Sequence, residues 1–209
     1  MEFLHLKLRA ESLAIGERIK KRTFRPCLET LPSSVISGAW AEYFPGAAIT
    51  GVGFLNKESY EKTYFVHSPR EYVTNSSSLP ITVEYLTPRP GWAYIEGDVY
   101  CPAVDGSADL ASHLPFDIHL GGLRYKGFGR CHISLDGVLA QSLTRGCFRG
   151  RIRETEVDLF DVKVRFPRYG YLFEPDPSNR GLGQYRRAIF EGSLVEAPLF
   201  MISEEYFYE

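Results

Sequence analysis

The segment Phe3-Leu4-His5-Leu6-Lys7-Leu8-Arg9 alternates apolar and polar side chains from Leu4 onward. In an extended chain successive side chains point to opposite faces, so Leu4, Leu6 and Leu8 share one face and His5, Lys7 and Arg9 the other. Such a strand has to bury its leucine face and pair along its edges, which commits the chain to a β-sheet. The alternation returns from Ile81 to Tyr85, from Trp92 to Tyr100, from Val157 to Val164 and across Gln184 to Val195. Pro88-Arg89-Pro90-Gly91 reads as a turn that folds the second and third of these runs into a hairpin. Ala48 to Phe54 is expected as a further strand, and Cys131 to Leu135 as one stopped by Asp136-Gly137. Asn56 to Ser78 reads as a polar loop with a short apolar piece at Tyr64-Phe65-Val66.

Helical spacing is found in two places. Pro32-Ser33-Ser34 reads as a helix start with a serine N-cap, and Val35, Ile36, Ala39, Trp40, Tyr43 and Phe44 follow at helical intervals until Pro45-Gly46. Gly38 sits mid-helix, where it costs about 1 kcal/mol relative to Ala; crowding against a sheet or close approach of a ligand explains it equally well. Ser107 to Leu114 is expected as a short second helix capped by Ser107. The order strand, helix, strands, short helix, strand is that of an α+β, ferredoxin-like or RRM-type domain, expected over residues 1–135. Glu11 to Pro26 reads as an irregular arm within it. Residues 136–209 carry turns at Asp176-Pro177 and Gly181-Leu182-Gly183 and no convincing helix, and read as a β-rich C-terminal region packed on the first domain.

With 209 residues the chain can bury a core without staples, and a net charge of −2 sets it apart from the polycations that coat nucleic acid. Any anion site must therefore be local. Such a site is suggested by Gly121-Gly122-Leu123-Arg124-Tyr125-Lys126-Gly127-Phe128-Gly129-Arg130. Its four glycines let the backbone pass through positive φ and approach another molecule closely, its three cations supply charge, and its two rings can stack on bases. The same residues also suit a glycine-rich hairpin with ordinary surface charge. Arg18, Lys20, Lys21, Arg22 and Arg25 form a basic run, and Arg145, Arg149, Arg151 and Arg153 a second one. Either run extends a basic track or is solvated and paired with neighbouring acids such as Glu154, Glu156 and Asp158.

The sequence offers no evident enzyme. A metal-independent ribonuclease needs a general base beside an RNA 2′-hydroxyl, and His5, His67, His113, His119 and His132 are the candidates, each read more simply as structural. Cys27, Cys101, Cys131 and Cys147 lack C-x-x-C spacing and read as reduced thiols. Asp105, Asp109 and Asp117 read as caps and solvated charges, so no catalytic residue, metal site or cofactor is expected. No basic leader precedes an apolar run and no stretch of 18 apolar residues occurs, so a cytoplasmic protein with no membrane association is expected. Asn75-Ser76-Ser77 fits a glycosylation sequon and reads as a polar loop.

Two motifs resemble those of the CRISPR-associated RAMP superfamily of RNA-binding proteins. Gly121 to Gly129 is similar to its glycine-rich loop, in the place between second helix and last strand. Leu31-Pro32-Ser33-Ser34-Val35-Ile36-Ser37-Gly38-Ala39 is similar to its P-G-S-S-x-x-G-A helix start, with Ser33 where the family has Gly and Ser37 and Ala41 at positions that are often basic. The resemblance implies an RRM-like fold, crRNA as ligand, and RNA contacts from residues 121–130, from the basic run at Lys20, Lys21, Arg22 and Arg25, and from Ser33, Ser34 and Gly38. One mid-chain glycine-rich loop followed by a β-rich half looks like the group-5 subunits of type IV or type III effector complexes. That implies capping of the crRNA 5′ handle, with a filament-forming backbone subunit and a large subunit as partners. A filament-forming subunit, or an endoribonuclease that processes precursor crRNA, is the alternative within the same superfamily.

Overall fold

The computed structural model describes residues 1–16, 24–47, 49–68, 80–104, 107–175 and 183–203. The alternating N-terminal segment becomes β1 (Glu2–Ala10), flanked on both edges by antiparallel partners. After β2 (Phe24–Arg25) and β3 (Thr30–Leu31) come helix α1 (Ser33–Tyr43), β4 (Val52–Leu55), β5 (Tyr60–His67), β6 (Ile81–Pro88) and β7 (Ile95–Pro102). Helix α2 (Ser107–His113), β8 (Phe116–His119) and β9 (Arg130–Ala140) complete the first sheet, whose order is β3-β4-β7-β1-β9-β8 with every neighbour antiparallel. α1 connects β1 to β4 with β7 lying between them, and α2 lies between β7 and β9 in the chain with β1 between them in the sheet.

Leu4, Leu6, Leu8 and Ala10 form one core with Ile36, Ala39 and Trp40 of α1 and Leu110 of α2. Trp40 is fully buried, and truncating a ring of that size in a core costs about 3–5 kcal/mol. α1 ends where Phe44 N–H donates to Trp40 O at 2.7 Å and Gly46 takes φ +89°. Its start differs from expectation. The cap position is Pro32, Ser33 is already helical, and the Ser33 hydroxyl points away from the helix toward Glu156.

The second half supplies β10 (Leu143–Cys147), β11 (Ile152–Arg153), β12 (Lys163–Phe166), β13 (Tyr169–Pro175), β14 (Gly183–Ile189) and β15 (Leu194–Pro198). They form two three-stranded antiparallel sheets, β10-β15-β12 and β11-β14-β13. Phe148, Phe160, Phe200 and Met201 cover part of the first sheet's other face, packing on Phe3, Val52, Phe54 and Tyr100. Tyr100 stacks on Phe200 at 3.9 Å and on His5 at 4.8 Å. Thus β1 feeds both cores, its leucines one and Phe3 the other.

Several elements depart from the sequence reading. β6 pairs with β5 and β2, while β7 pairs with β1 and β4, so residues 81–100 do not form one hairpin. β5 lies where the sequence predicts a loop; Tyr64 and Val66 are exposed, which blurs its alternation. Asp136-Gly137 does not stop β9, which pairs with β1 as far as Ala140 through a bulge opposite His5 and Leu6. Val157 to Val164 is largely a turn following a 3-10 helix (Glu154–Glu156), closed by Val162 N–H to Val157 O at 2.9 Å.

Candidate nucleic-acid interface

The glycine-rich segment is a turn locked onto the strap that leaves β1. Gly122 N–H donates to Ala14 O at 2.8 Å and Gly129 N–H to Ser12 O at 2.9 Å, while Leu120 N–H donates to Gly129 O at 2.8 Å. A 3-10 turn (Arg124–Lys126) forms the tip, entered by Leu123 at φ +56° and left by Gly127 at φ +87°. Gly129 has φ +89°, and a Cβ there would stand 2.1 Å from Leu120 O; at Gly121, φ +80°, the clash would be 2.6 Å from Ala14 O. Lys126 and Gly127 also spend their amides inside the tip. The expected cradle of glycine amides is therefore turned inward at these positions, because the glycines are needed for close packing of the turn on its strap. Side chains are what the turn presents outward.

Of the two rings, Tyr125 is 72% exposed, with Lys126 Nζ 5.5 Å from its centroid. Phe128 is half-buried against Tyr85 at 4.7 Å and Phe65 at 6.0 Å, which clamps the turn to the β5–β6 hairpin. Arg124 is paired with Glu42 near the end of α1. Arg130 reaches Asp117 at 3.2 Å and Glu11 at 3.8 Å. Hydrogen bonds from His132 and Arg130 hold the Asp117 carboxyl below its ordinary value. Exposed pairs of this kind contribute little to stability.

The other predicted contacts fare differently. Ser33 and Ser34 are buried. Ser33 donates to Glu156, which also accepts from Thr50 Oγ1 at 2.5 Å and from Arg153 N–H at 3.0 Å. Ser33 is thus buried against the second half, and Ser34 is buried next to it in the chain. Gly38 is half-buried within α1. Arg25 lies in β2 with its Nε buried and without a partner among the described residues. Arg18, Lys20, Lys21 and Arg22 lie outside the described residues. Three of the four cations of the second basic run are held in the structure, while Arg145 is exposed, 4.0 Å from Glu196. Arg149 lies 4.0 Å over the Phe54 ring, Arg151 is bidentate with Glu191, and Arg153 is bound by Glu156 and Glu174.

The half of the sheet's second face left open is polar and balanced. Lys7 meets Asp98 at 2.7 Å, Arg9 meets Glu96 at 3.6 Å, and His132 meets Asp117 at 2.9 Å. His5 lies between Asp98 at 2.8 Å and Asp136 at 2.9 Å. A cleft of about 230 Å³ there is lined by Arg9, Glu11, Tyr94, Asp117, Arg130, Cys131 and His132. Among the described residues no group of three His, Cys, Asp or Glu stands ready to hold a metal ion, and no helix is long and apolar enough to cross a membrane. Each cysteine is a free thiol; burial pushes Cys27 up to about 11 and Cys101 and Cys131 up to about 12. Sequence reasoning missed Glu42, the Ser12 and Ala14 carbonyls and the Tyr85 ring as partners of the turn. All lie far from it along the chain, and no local pattern announces them.

No protein-family model and no curated protein matches the chain. Solved structures do. A chain of the type III-B Cmr-beta complex bound to cognate target RNA superposes with a TM-score of 0.56 at 11% identity, covering 92% of this chain and 86% of that one. A chain of the same complex bound to cognate target RNA and AMPPnP superposes with a TM-score of 0.54 at 10% identity and the same coverage. The likeness is one of fold. It spans both halves of the molecule, so it reaches well beyond the glycine-rich turn and the start of α1.

Proposed function

We propose that the chain is an RNA-binding subunit of a class 1 CRISPR effector complex, of the group-5 kind found in type III or type IV systems. In this reading it recognises the 5′ handle of crRNA and caps the backbone filament, with the filament-forming subunit and the large subunit as protein partners in the cytoplasm. The observation that carries the reading is the locked turn, which presents Tyr125 and Lys126 at its tip on a fold shared with chains of an RNA-bound type III-B complex. The strand order β4-β7-β1-β9, with two crossovers that each skip one strand, supports a ferredoxin-like, RRM-type core for the first domain. The β-rich remainder is its packed companion.

The mode of binding follows from which surfaces are available. Phe54 and Tyr100, the rings on the sheet face that an RRM offers to bases, are buried under Phe148 and Phe200. The turn has an exposed ring and cations whose surface pairs are weak. Stacking on Tyr125 and phosphate contacts from Lys126 and Arg124 are therefore the proposed contacts. A filter-binding titration with crRNA tests this: Arg124→Ala with Lys126→Ala lowers affinity and reduces the salt slope by about one unit for each phosphate no longer neutralised. No affinity for handle RNA, with or without the filament subunit, overturns it.

One observation favours a second reading, a metal-independent endoribonuclease that processes precursor crRNA. His132 Nδ1 lies 2.9 Å from Asp117 in the cleft that also holds Tyr94 and Arg9, so Asp117 orients a candidate base beside a cation. Cleavage of labelled repeat RNA in chelator, abolished in His132→Ala, is its signature.

A further inference from the structure

The hairpin β13–β14 presents a face that neither motif accounts for. Leu172 and Ala188 point inward and are buried, which anchors one side of the hairpin. The opposite side carries Tyr169, Tyr171 and Phe173 from β13, with Arg187 and Tyr185 standing across from the last two. Tyr171 is 62% exposed, and Tyr169 and Tyr185 are each 48% exposed. Arg187 lies 3.6 Å from the centroid of the Tyr169 ring, and Phe173 meets Tyr185 edge-on at 5.5 Å. Residues two apart on a strand stand about 6.7 Å apart, close to two stacking steps of about 3.4 Å in a nucleic-acid strand.

We infer that this face is a stacking platform for single-stranded RNA, a second contact surface beside the glycine-rich turn; it rests on the RNA-binding reading proposed above. The charge around it argues for a polyanion. The hairpin strands and the residue leading into them, 168–175 and 183–189, carry Arg168, Arg186 and Arg187 against Glu174 alone, an excess of two positive charges in a chain whose net charge is −2, with Arg187 on the tyrosine face and Arg186 on the Leu172 side. The ion pairs of Arg186 with Glu174 at 2.9 Å and Arg187 with Glu154 at 3.6 Å lie at the surface, where a phosphate can displace them at little cost. Tyrosine and arginine also mark protein interfaces, so it is the surplus of cations over acids on the hairpin that favours a polyanion. Bases stack on the tyrosines and on the Arg187 plane while their phosphates run along the flanking cations.

The test is fluorescence anisotropy of the full chain with labelled single-stranded oligouridylate, alongside a duplex RNA control. Tyr171→Ala with Tyr185→Ala weakens oligouridylate binding by about 5- to 150-fold for each base unstacked, and Tyr171→Phe with Tyr185→Phe restores it. Zero-length photocrosslinking of thiouridine-substituted oligouridylate to the unmodified protein maps to residues 169–173 and 185–187, which needs no variant to fold. Failure of the wild-type chain to bind any RNA overturns both readings. Wild-type binding that Tyr125→Ala weakens, but that the Tyr171 and Tyr185 changes leave intact, overturns the platform and spares the RNA-binding reading. Crosslinks confined to other segments do the same. Unchanged affinity together with altered self-association in light scattering overturns the platform and assigns the face to a second copy of the chain.

Discussion

The turn at residues 121–130 and the start of α1 at residues 32–38 are both built from small residues that bring a backbone close to something else, yet they meet opposite surroundings. At the turn the close approach is to the chain's own strap, through Ser12 and Ala14, and Tyr125 is left at the surface. At the helix start the second half of the chain closes over Ser33. One carboxylate, Glu156, gathers donors from Ser33, Thr50 and Arg153. A small polar residue permits contact without choosing the partner. What the rest of the chain lays across it makes that choice, so one segment displays side chains to solvent and the other joins two halves.

That contrast breaks most visibly at Glu156. Its removal leaves the Ser33 and Thr50 hydroxyls buried without their acceptor and Arg153 with Glu174 alone, and a buried donor orphaned in this way costs about 1–3 kcal/mol. Glu156→Ala should reduce the unfolding free energy measured in urea by that amount while RNA affinity per folded molecule is unchanged; wild-type stability in the variant would show that the junction is not held there. Gly129→Ala comes next. The added Cβ meets the Leu120 carbonyl in a backbone conformation at φ +89°, a strain of about 1–3 kcal/mol. This change should lower both stability and RNA affinity, since it displaces the turn. Gly127→Ala, with φ +87° and open space around it, is the control and should cost only the conformational penalty. Tyr125→Ala is the reverse of Glu156→Ala. Stability should stay within about 0.5 kcal/mol, whereas RNA affinity should drop by about 1–3 kcal/mol per base unstacked, read by anisotropy.

How much of this is legible in the sequence depends on whether the relevant contact is local. β1, the body of α1 and the short α2 follow from periodicity because a strand or helix shows its buried face within a few residues. The glycines are legible as positions of positive φ, and Gly121, Gly127 and Gly129 do adopt it. Their hydrogen-bond partners are not, because Ser12 and Ala14 lie about a hundred residues or more upstream. Alternation locates the strand from 81 to 85 but not its partner; the Pro88 to Gly91 turn redirects the chain, and β6 pairs with β5 and β2. The serines look like a cap and a surface because nothing near them in sequence shows Glu156, which lies 123 residues from Ser33.

The polar half of the first sheet's second face, which meets the turn at Arg130, supplies the smallest effect. Burial alone would raise the Asp98 carboxyl, but hydrogen bonds from Lys7 at 2.7 Å and His5 at 2.8 Å outweigh it and hold the group below its ordinary value of 3.8. A carboxyl depressed in the folded state stabilises the fold above its unfolded value and loses that contribution as pH falls through the folded one. The stability gap between wild type and Asp98→Asn should therefore be constant near neutrality and close below about pH 4. Because the pair is partly solvated, the gap should be at most about 1 kcal/mol. The same variant also decides which surface meets RNA. If RNA lies on the turn, removing a negative charge from the sheet face leaves affinity at neutral pH unchanged. A clear gain in affinity would mean that Asp98 repels bound phosphate, and would move the interface from the turn to the open half of the sheet.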